Sequence, residues 1–343
     1  MRSSSRSERR GTFDKRSLAL VWPLLGLLGL LLINALLNPG FFHLEIMDGR
    51  VTGSLIDIVD RGAPVLLLSL GMTLVIATAG IDLSVGSVMA MSGSLAAVLL
   101  VEQEWPLALA ILAALVVCTV AGAWNGLLVS RLKVQPIVAT LVLMVAGRGV
   151  AQLLTDGQII TLGREEGFAF LGGGHFLGLP FPTTIVVASF LIVVALTRWT
   201  ALGLFIEAVG ANETASSFAG LSVGSLKIGV YALSGLLAGV AGLIYASDIT
   251  AADANNAGLY LELDAILAVV IGGASLSGGR FRLLGTAIGA LTIQTLTTTL
   301  LMIRIGGREI PPEYSLIVKA AVVLAVCVVQ TDKLRAMLRR RQR

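Results

Sequence analysis

Apolar runs long enough to cross a bilayer follow one another along the chain, separated by short polar interruptions. The first occupies residues 18–37, behind the basic, Ser-rich leader MRSSSRSERRGTFDKR. No small-residue cleavage site follows it, so the run reads as an uncleaved span and not as a secretory signal. Further runs cover 63–79, 87–101, 106–129, 136–154, 183–196, 228–246, 283–303 and 314–329, with a run at 265–273 too short to span alone. The pattern predicts an all-α polytopic membrane protein of about ten transmembrane helices. Short or broken segments fall near 80–86 and 265–282.

The polar interruptions carry the topology. Lys and Arg collect on the cytosolic side of a membrane. Six basic residues precede Leu18 and six follow Thr331, and Arg131 and Lys133 lie between two spans. The interruptions at 38–61, 156–182 and 247–264 are acidic or Gly-rich and read as external loops. Both termini are then cytosolic. The organisation is a basic tail at 1–17, a membrane domain at 18–331 and a second basic tail at 332–343. Among the cytosolic interruptions, 198–226 is the longest. Within it Asn212 suits a helix N-cap, Glu213 the first turn facing the positive end of the helix dipole, and Gly220 a left-handed stop.

Composition agrees: 56% of the 343 residues are hydrophobic, 13% are charged and mean hydropathy is +0.90, which excludes an ordinary soluble domain. The net charge of +4 is misleading taken whole, because the basic residues collect in the two tails, which suits a cytosolic anchor and not a nucleic-acid surface. Cys118 and Cys327 both lie in apolar runs and suit packing. His43 and His175 stand far apart outside the spans, so neither a metal site nor a histidine-based catalytic site is expected. No phosphate-binding GxxxxGK[ST] run occurs, so any ATP used with its Mg²⁺ is bound by another polypeptide.

A carboxylate within an apolar stretch is costly unless solvated or paired. Asp82, in GIDLSVG at 80–86, has two readings. It caps the third helix at a membrane surface, or it lies with Ser84 on a polar cavity lined by the opened backbone of Gly80 and Gly86. Asn125 near the end of the fourth span, and Ser275 and Ser277 in GASLSGG, are further groups suited to hydroxyl-bearing ligands. The echo between GIDLSVG and GASLSGG rests on four small or common residues in seven, and coincidence accounts for it. Arg148 and Lys319, inside spans, are expected to snorkel towards an interface, Lys319 in preference to pairing with Asp264. Gly235 and Gly239 form a GxxxG of low weight in so Gly-rich a chain.

Four blocks in order carry a resemblance: LVIATAGIDLSVGSVMAMSGS, WNGLLVSRLKVQPIVATLVLMVAGRGVAQLLTDG, EAVGANETASSFAGLSV and LELDAILAVVIGGASLSGGRFRLLGTAIGAL. From about 62 to 329 the chain resembles the membrane subunits of bacterial carbohydrate-uptake ABC transporters of the ribose, xylose and arabinose group. The runs MDGRVTGSLIDIVDRGAPV and TAADANNAGLYLELDAI are most similar to the galactofuranose type. The resemblance implies an inner-membrane permease that is not itself an enzyme, with a periplasmic sugar-binding protein, a cytosolic ATPase and a second permease subunit as partners. It also implies that Glu207, Gly210, Asn212, Ala215 and Gly220 lie in the loop that docks on the ATPase. Ala79 and Ala211 stand where many relatives have glycine. A nucleoside or branched-chain amino-acid permease shares the broad frame. A proton-coupled carrier, with Asp82 as a relay, is the alternative of a different class.

Overall fold

The computed structural model describes residues 11–37, 40–47, 50–163, 166–302, 304–305, 308–309, 314 and 316–321. Helix α1 spans Gly11–Leu37, beginning ahead of the apolar run, and shows a largely exposed apolar surface beyond Leu20. The stretch expected as an external loop instead holds a two-stranded hairpin, Glu45–Met47 with Arg50–Thr52, and helix α2, Ser54–Arg61. A 49° bend at Gly62 joins α2 to α3, Ala63–Ala77. Every residue of α3 is buried, as an all-round apolar helix with no polar stripe must be in the centre of a bundle.

Helix α4 covers Val85–Ala97 and ends in a π-helical turn, Val98–Glu102. Helices α5, Leu107–Ser130, and α6, Pro136–Leu154, are entered through Pro106 and Pro136, whose missing N–H costs nothing where a helix begins. Helix α7, Glu166–Gly173, is short, and α8, Phe181–Arg198, again starts at a proline, Pro182. Helices α9, Leu202–Ala211, and α10, Glu213–Phe218, fill the interruption read as a polar loop. Helix α11 covers Val223–Asp248, α12 Leu261–Ile271 and α13 Leu283–Met302.

Among the described residues seven helices are long and apolar enough to span, or eight with the bent α2–α3 pair counted as one. The expected figure of ten differs for identifiable reasons. At 11 residues α12 falls short of a bilayer. The last predicted span, the Pro311-Pro312 turn before it, Cys327 and both basic tails lie wholly or mostly outside the described residues.

The most extensive helix contact among the described residues joins α11 to α5, and glycine makes it possible. A Cβ at Gly235 would overlap the Cys118 carbonyl oxygen, and one at Gly239 would lie 2.9 Å from the Cys118 Cβ. The GxxxG therefore acts as a packing face, with buried Cys118 as its counterpart.

Candidate functional site

Between α3 and α4 the helix is broken for seven residues, 78–84. Ala79 sits at φ 60°, a left-handed conformation that turns the chain back into the bundle. The returning segment carries Asp82, which is 1% exposed, to the middle of α11 and the last third of α5. Its Oδ1 accepts from the Ser84 backbone N–H at 3.1 Å and from the Ser84 hydroxyl at 2.6 Å. Its Oδ2 accepts from the Ser234 hydroxyl at 3.0 Å, and Asn125 Nδ2 donates to Ser84 Oγ at 2.9 Å. Asp82, Ser84, Asn125 and Ser234 thus form one buried network tying the break to α5 and α11.

Of the two readings of Asp82, the cap at a membrane surface does not describe this arrangement. The carboxylate is no surface cap, since it lies inside the bundle. Its oxygens are occupied by serine donors, and the acceptor left over is Asn125 Oδ1, buried and without a partner among the described residues. Gly80 and Gly86 frame the network at close range. A Cβ at Gly80 would lie 2.5 Å from the Tyr231 hydroxyl, and one at Gly86 would overlap the Gly258 carbonyl oxygen. Glycine lets the broken backbone lie directly against its neighbours.

The second break, 272–282, separates α12 from α13. Ser275 and Ser277 are exposed there and are joined to each other, Ser277 N–H donating to Ser275 Oγ at 3.2 Å. They take no part in the Asp82 network. The loop nevertheless reaches the first break: Gly279 N–H donates to the Ala77 carbonyl at 2.9 Å, and Gly278 packs on Ala79. A Thr73–Thr286 hydroxyl pair at 2.8 Å joins α3 to α13 nearby.

Helix α9 meets both breaks at one residue. A Cβ at Gly210 would overlap the Ala77 carbonyl oxygen and lie 2.5 Å from the Gly279 nitrogen. Glu207 is half-buried on the same helix. Beyond it α10 forms as its sequence predicts. Asn212 Oδ1 accepts from Ala215 N–H at 2.9 Å, a side-chain N-cap. Gly220 stands at φ +88°, with Gly220 N–H on the Ser217 carbonyl and Leu221 N–H on that of Ser216, the paired bonds of a Schellman stop. Glu213 does more than face the helix dipole. It receives Lys133 at 2.9 Å and Lys227 at 2.6 Å, and hydrogen bonds from these two lysines hold its carboxyl below the usual glutamate range. The outer surface of this region is apolar, with Trp199 86% and Phe218 89% exposed.

Two in-span cations depart from expectation. Arg148 does not snorkel; its Nη1 donates to the Ala254 and Ala257 carbonyls at 2.9 and 2.6 Å, drawing the segment after α11 into the bundle beside Gly86. Lys319 pairs with Asp264 Oδ2 at 2.6 Å, and both side chains are largely sealed from solvent, so an ion pair replaces the expected snorkelling. A charge drawn into an apolar interior takes the nearest opposite charge or carbonyl when the interface is farther than its side chain reaches. Ser234 went unread because one serine within α11 is no signal by itself.

Residues 54–327 match the family described as the permease component of branched-chain amino acid transport systems. The chain is 51% identical over 323 residues to the galactofuranose transporter permease of Escherichia coli strain K12, covering 93% of each. It is 39% identical over 320 residues to the fructose import permease of Bifidobacterium longum, covering 92% of this chain and 88% of that one. To the ribose import permease of Bacillus subtilis it is 40% identical over 312 residues, covering 91% and 92%.

Proposed function

The chain belongs to this permease family and is a multi-pass protein of the bacterial inner membrane, and from that premise we propose that it forms the translocation pathway of an ATP-driven importer for a monosaccharide, galactofuranose. The observation that carries the choice of sugar is the 51% identity, along 93% of both chains, to a galactofuranose transporter permease. A periplasmic binding protein delivers the sugar and a cytosolic ATPase binds ATP and Mg²⁺. A second, related permease subunit completes the pathway. This chain needs no cofactor of its own.

In this reading the chain crosses the membrane ten times with both termini in the cytosol, and 198–226 is the loop on which the ATPase docks. Glu207, Gly210, Asn212, Ala215 and Gly220 belong to that loop. The exposed rings of Trp199 and Phe218 suit burial against a partner, since apolar surface outside the lipid gains most when covered. Gly80, Asp82, Ser84, Gly86 and Asn125 build the wall of the pathway at the first break, while Ser275 and Ser277 offer hydroxyls at the cytosolic mouth. A wall of hydroxyl and amide groups, with its one carboxylate held by serines, suits a neutral sugar better than an anion, which calls for basic partners. Transient, weak contacts also suit a ligand handed over by a separate high-affinity protein.

The test compares uptake of labelled galactofuranose, ribose, fructose and a nucleoside in cells carrying the whole transporter and in cells lacking only this chain. Galactofuranose uptake is expected to fall to background in the deletion and to return with the gene. Loss confined to another sugar moves the substrate within the family. Uptake that persists without ATPase and binding protein, accompanied by proton movement, establishes a carrier instead.

A further inference from the structure

We infer that Glu213 is a positioning residue that makes α10 move as one piece with α11 and the α5–α6 turn, so that a displacement of the docking loop reaches the two helices holding the Asp82 network. The inference rests on the reading of 198–226 as the ATPase-docking loop and deepens it.

Helix α10 is a six-residue helix, too short to hold a direction by its own backbone bonds. Its outer side bears Phe218, exposed. Its attachment to the bundle is therefore decided by side chains, and Glu213 in its first turn makes two ion pairs at once. One oxygen, Oε1, takes Lys133 from the turn between α5 and α6, and the other, Oε2, takes Lys227 from the second turn of α11. The two lysines differ: the Lys133 side chain is 70% exposed, whereas that of Lys227 is 10% exposed. Desolvation strengthens an ion pair, so the Lys227 arm holds firmly and the Lys133 arm is the one that salt and water weaken.

Both arms lead to the same place. Helix α5 carries Asn125 and α11 carries Ser234, the two residues that bind the Ser84–Asp82 segment from either side. Lys227 and Ser234 lie on one continuous helix, seven residues or about two turns apart. A rigid helix passes a tilt applied at Lys227 directly to Ser234. Gly210, on α9, touches the breaks from the other direction at Ala77 and Gly279, so the loop grips the membrane helices at two separated points. A lever needs both: the glycine contact as fulcrum and the Glu213 pair as the loaded arm. Among the described residues, no other part of α10 is ion-paired to a membrane helix.

The test uses the complete transporter in proteoliposomes with its binding protein and galactofuranose, measuring sugar moved per ATP hydrolysed alongside co-purification of the ATPase. Glu213→Gln is expected to keep the ATPase bound while sugar per ATP falls at least fivefold. Reversing both pairs together, with Glu213→Lys, Lys133→Glu and Lys227→Glu, is expected to restore the ratio to within twofold of the unaltered protein. A purely structural role for the carboxylate would lower the amount of folded complex and leave the ratio per complex unchanged, which overturns the inference. An unchanged ratio in Glu213→Gln overturns it as well, and so does failure of the reversed triple variant to recover. Phe218→Ala separates the two readings. If it leaves ATPase association intact and the loop can be cut without effect on coupling, the docking reading itself has failed, whatever Glu213 does.

Discussion

Two seven-residue stretches, GIDLSVG at 80–86 and GASLSGG at 273–279, look alike in sequence and are built in opposite ways. The first is sealed: Asp82 and Ser84 are each 1% exposed and every bond of the network runs to a neighbouring helix or within the break. The second is open, with Ser275 and Ser277 bonded to each other at the surface. In the sealed break the polar side chains carry the structure. In the open one the glycines do: Gly273, Gly278 and Gly279 all stand at positive φ, and the last two meet the base of the first break. A shared pattern of small residues therefore says that a helix is interrupted, and says nothing about which atoms hold the interruption in place.

The largest effect that tests this contrast is expected at Asp82. Removing the carboxylate by Asp82→Ala strands three buried donors, the Ser84 N–H and hydroxyl and the Ser234 hydroxyl. Each unmade buried bond costs about 1–3 kcal/mol, so a loss of roughly 3 kcal/mol or more is expected. Thermal melting in detergent should fall sharply and uptake should drop below about a tenth. Asp82→Asn keeps the shape and one carbonyl acceptor and should retain partial uptake. Proton current in ATP-free liposomes that vanishes in the Asn variant would instead make Asp82 a relay.

Next in size is Lys319, which shows what supports the open break from behind. The Lys319–Asp264 pair anchors α12 ahead of the loop, and Lys319→Met leaves Asp264 charged and buried without its partner. Removing one member of a buried pair costs about 3–5 kcal/mol, of which a pair not wholly sealed shows the lower part. The double variant Lys319→Met with Asp264→Leu should melt close to the unaltered protein. Equal melting of the single and double variants would mean that the pair contributes no anchoring.

How much of this was legible follows the kind of interaction. Local signals were read correctly where they are sufficient: the Asn212 cap and the Gly220 stop need only neighbours in sequence, and the helix bounds 136–154 follow from Pro136 and hydropathy. Interactions between distant residues left no such mark. Ser234 is one serine in α11, and the partners of Arg148 lie 106 and 109 positions away. Helix α9 was missed because an apolar LGLFIEAVGA between polar neighbours was averaged into a loop, although its Gly210 packs on α3 and the 272–282 break. The contact between the two interruptions at Ala77–Gly279 is another long-range pairing that neither stretch announces in sequence.

A third test inverts the contrast at the level of glycine. Gly278 has φ +83°, and a Cβ there would lie 2.8 Å from the Ala79 nitrogen and Cβ. Left-handed strain alone costs a residue with a Cβ about 1–2 kcal/mol, and the clash is with backbone that cannot swing aside. Gly80→Ala meets the Tyr231 hydroxyl at 2.5 Å, the far end of a side chain that can yield. The open break is therefore expected to be the less tolerant of the two at this level, with Gly278→Ala lowering the melting temperature more than Gly80→Ala. The reverse order would mean that the sealed break depends on its backbone as well as on Asp82.

The smallest effect is expected where the open break carries its hydroxyls. Ser275→Ala with Ser277→Ala removes one Ser277 N–H to Ser275 Oγ bond between exposed groups, where water replaces whatever is lost. Surface changes of this kind usually fall within about ±0.5 kcal/mol, so melting should not move measurably. Transport is the sharper readout, because in the proposed reading these two hydroxyls stand at the cytosolic mouth and meet the sugar only as it leaves. Two hydroxyls that make brief, solvated contacts change the rate of release by a few-fold at most, and uptake at saturating binding protein should stay above about a third of the unaltered value. A fall as deep as that of Asp82→Ala, with melting unchanged, would place the narrow part of the pathway at the second break and move the role assigned to the first break onto Ser275 and Ser277.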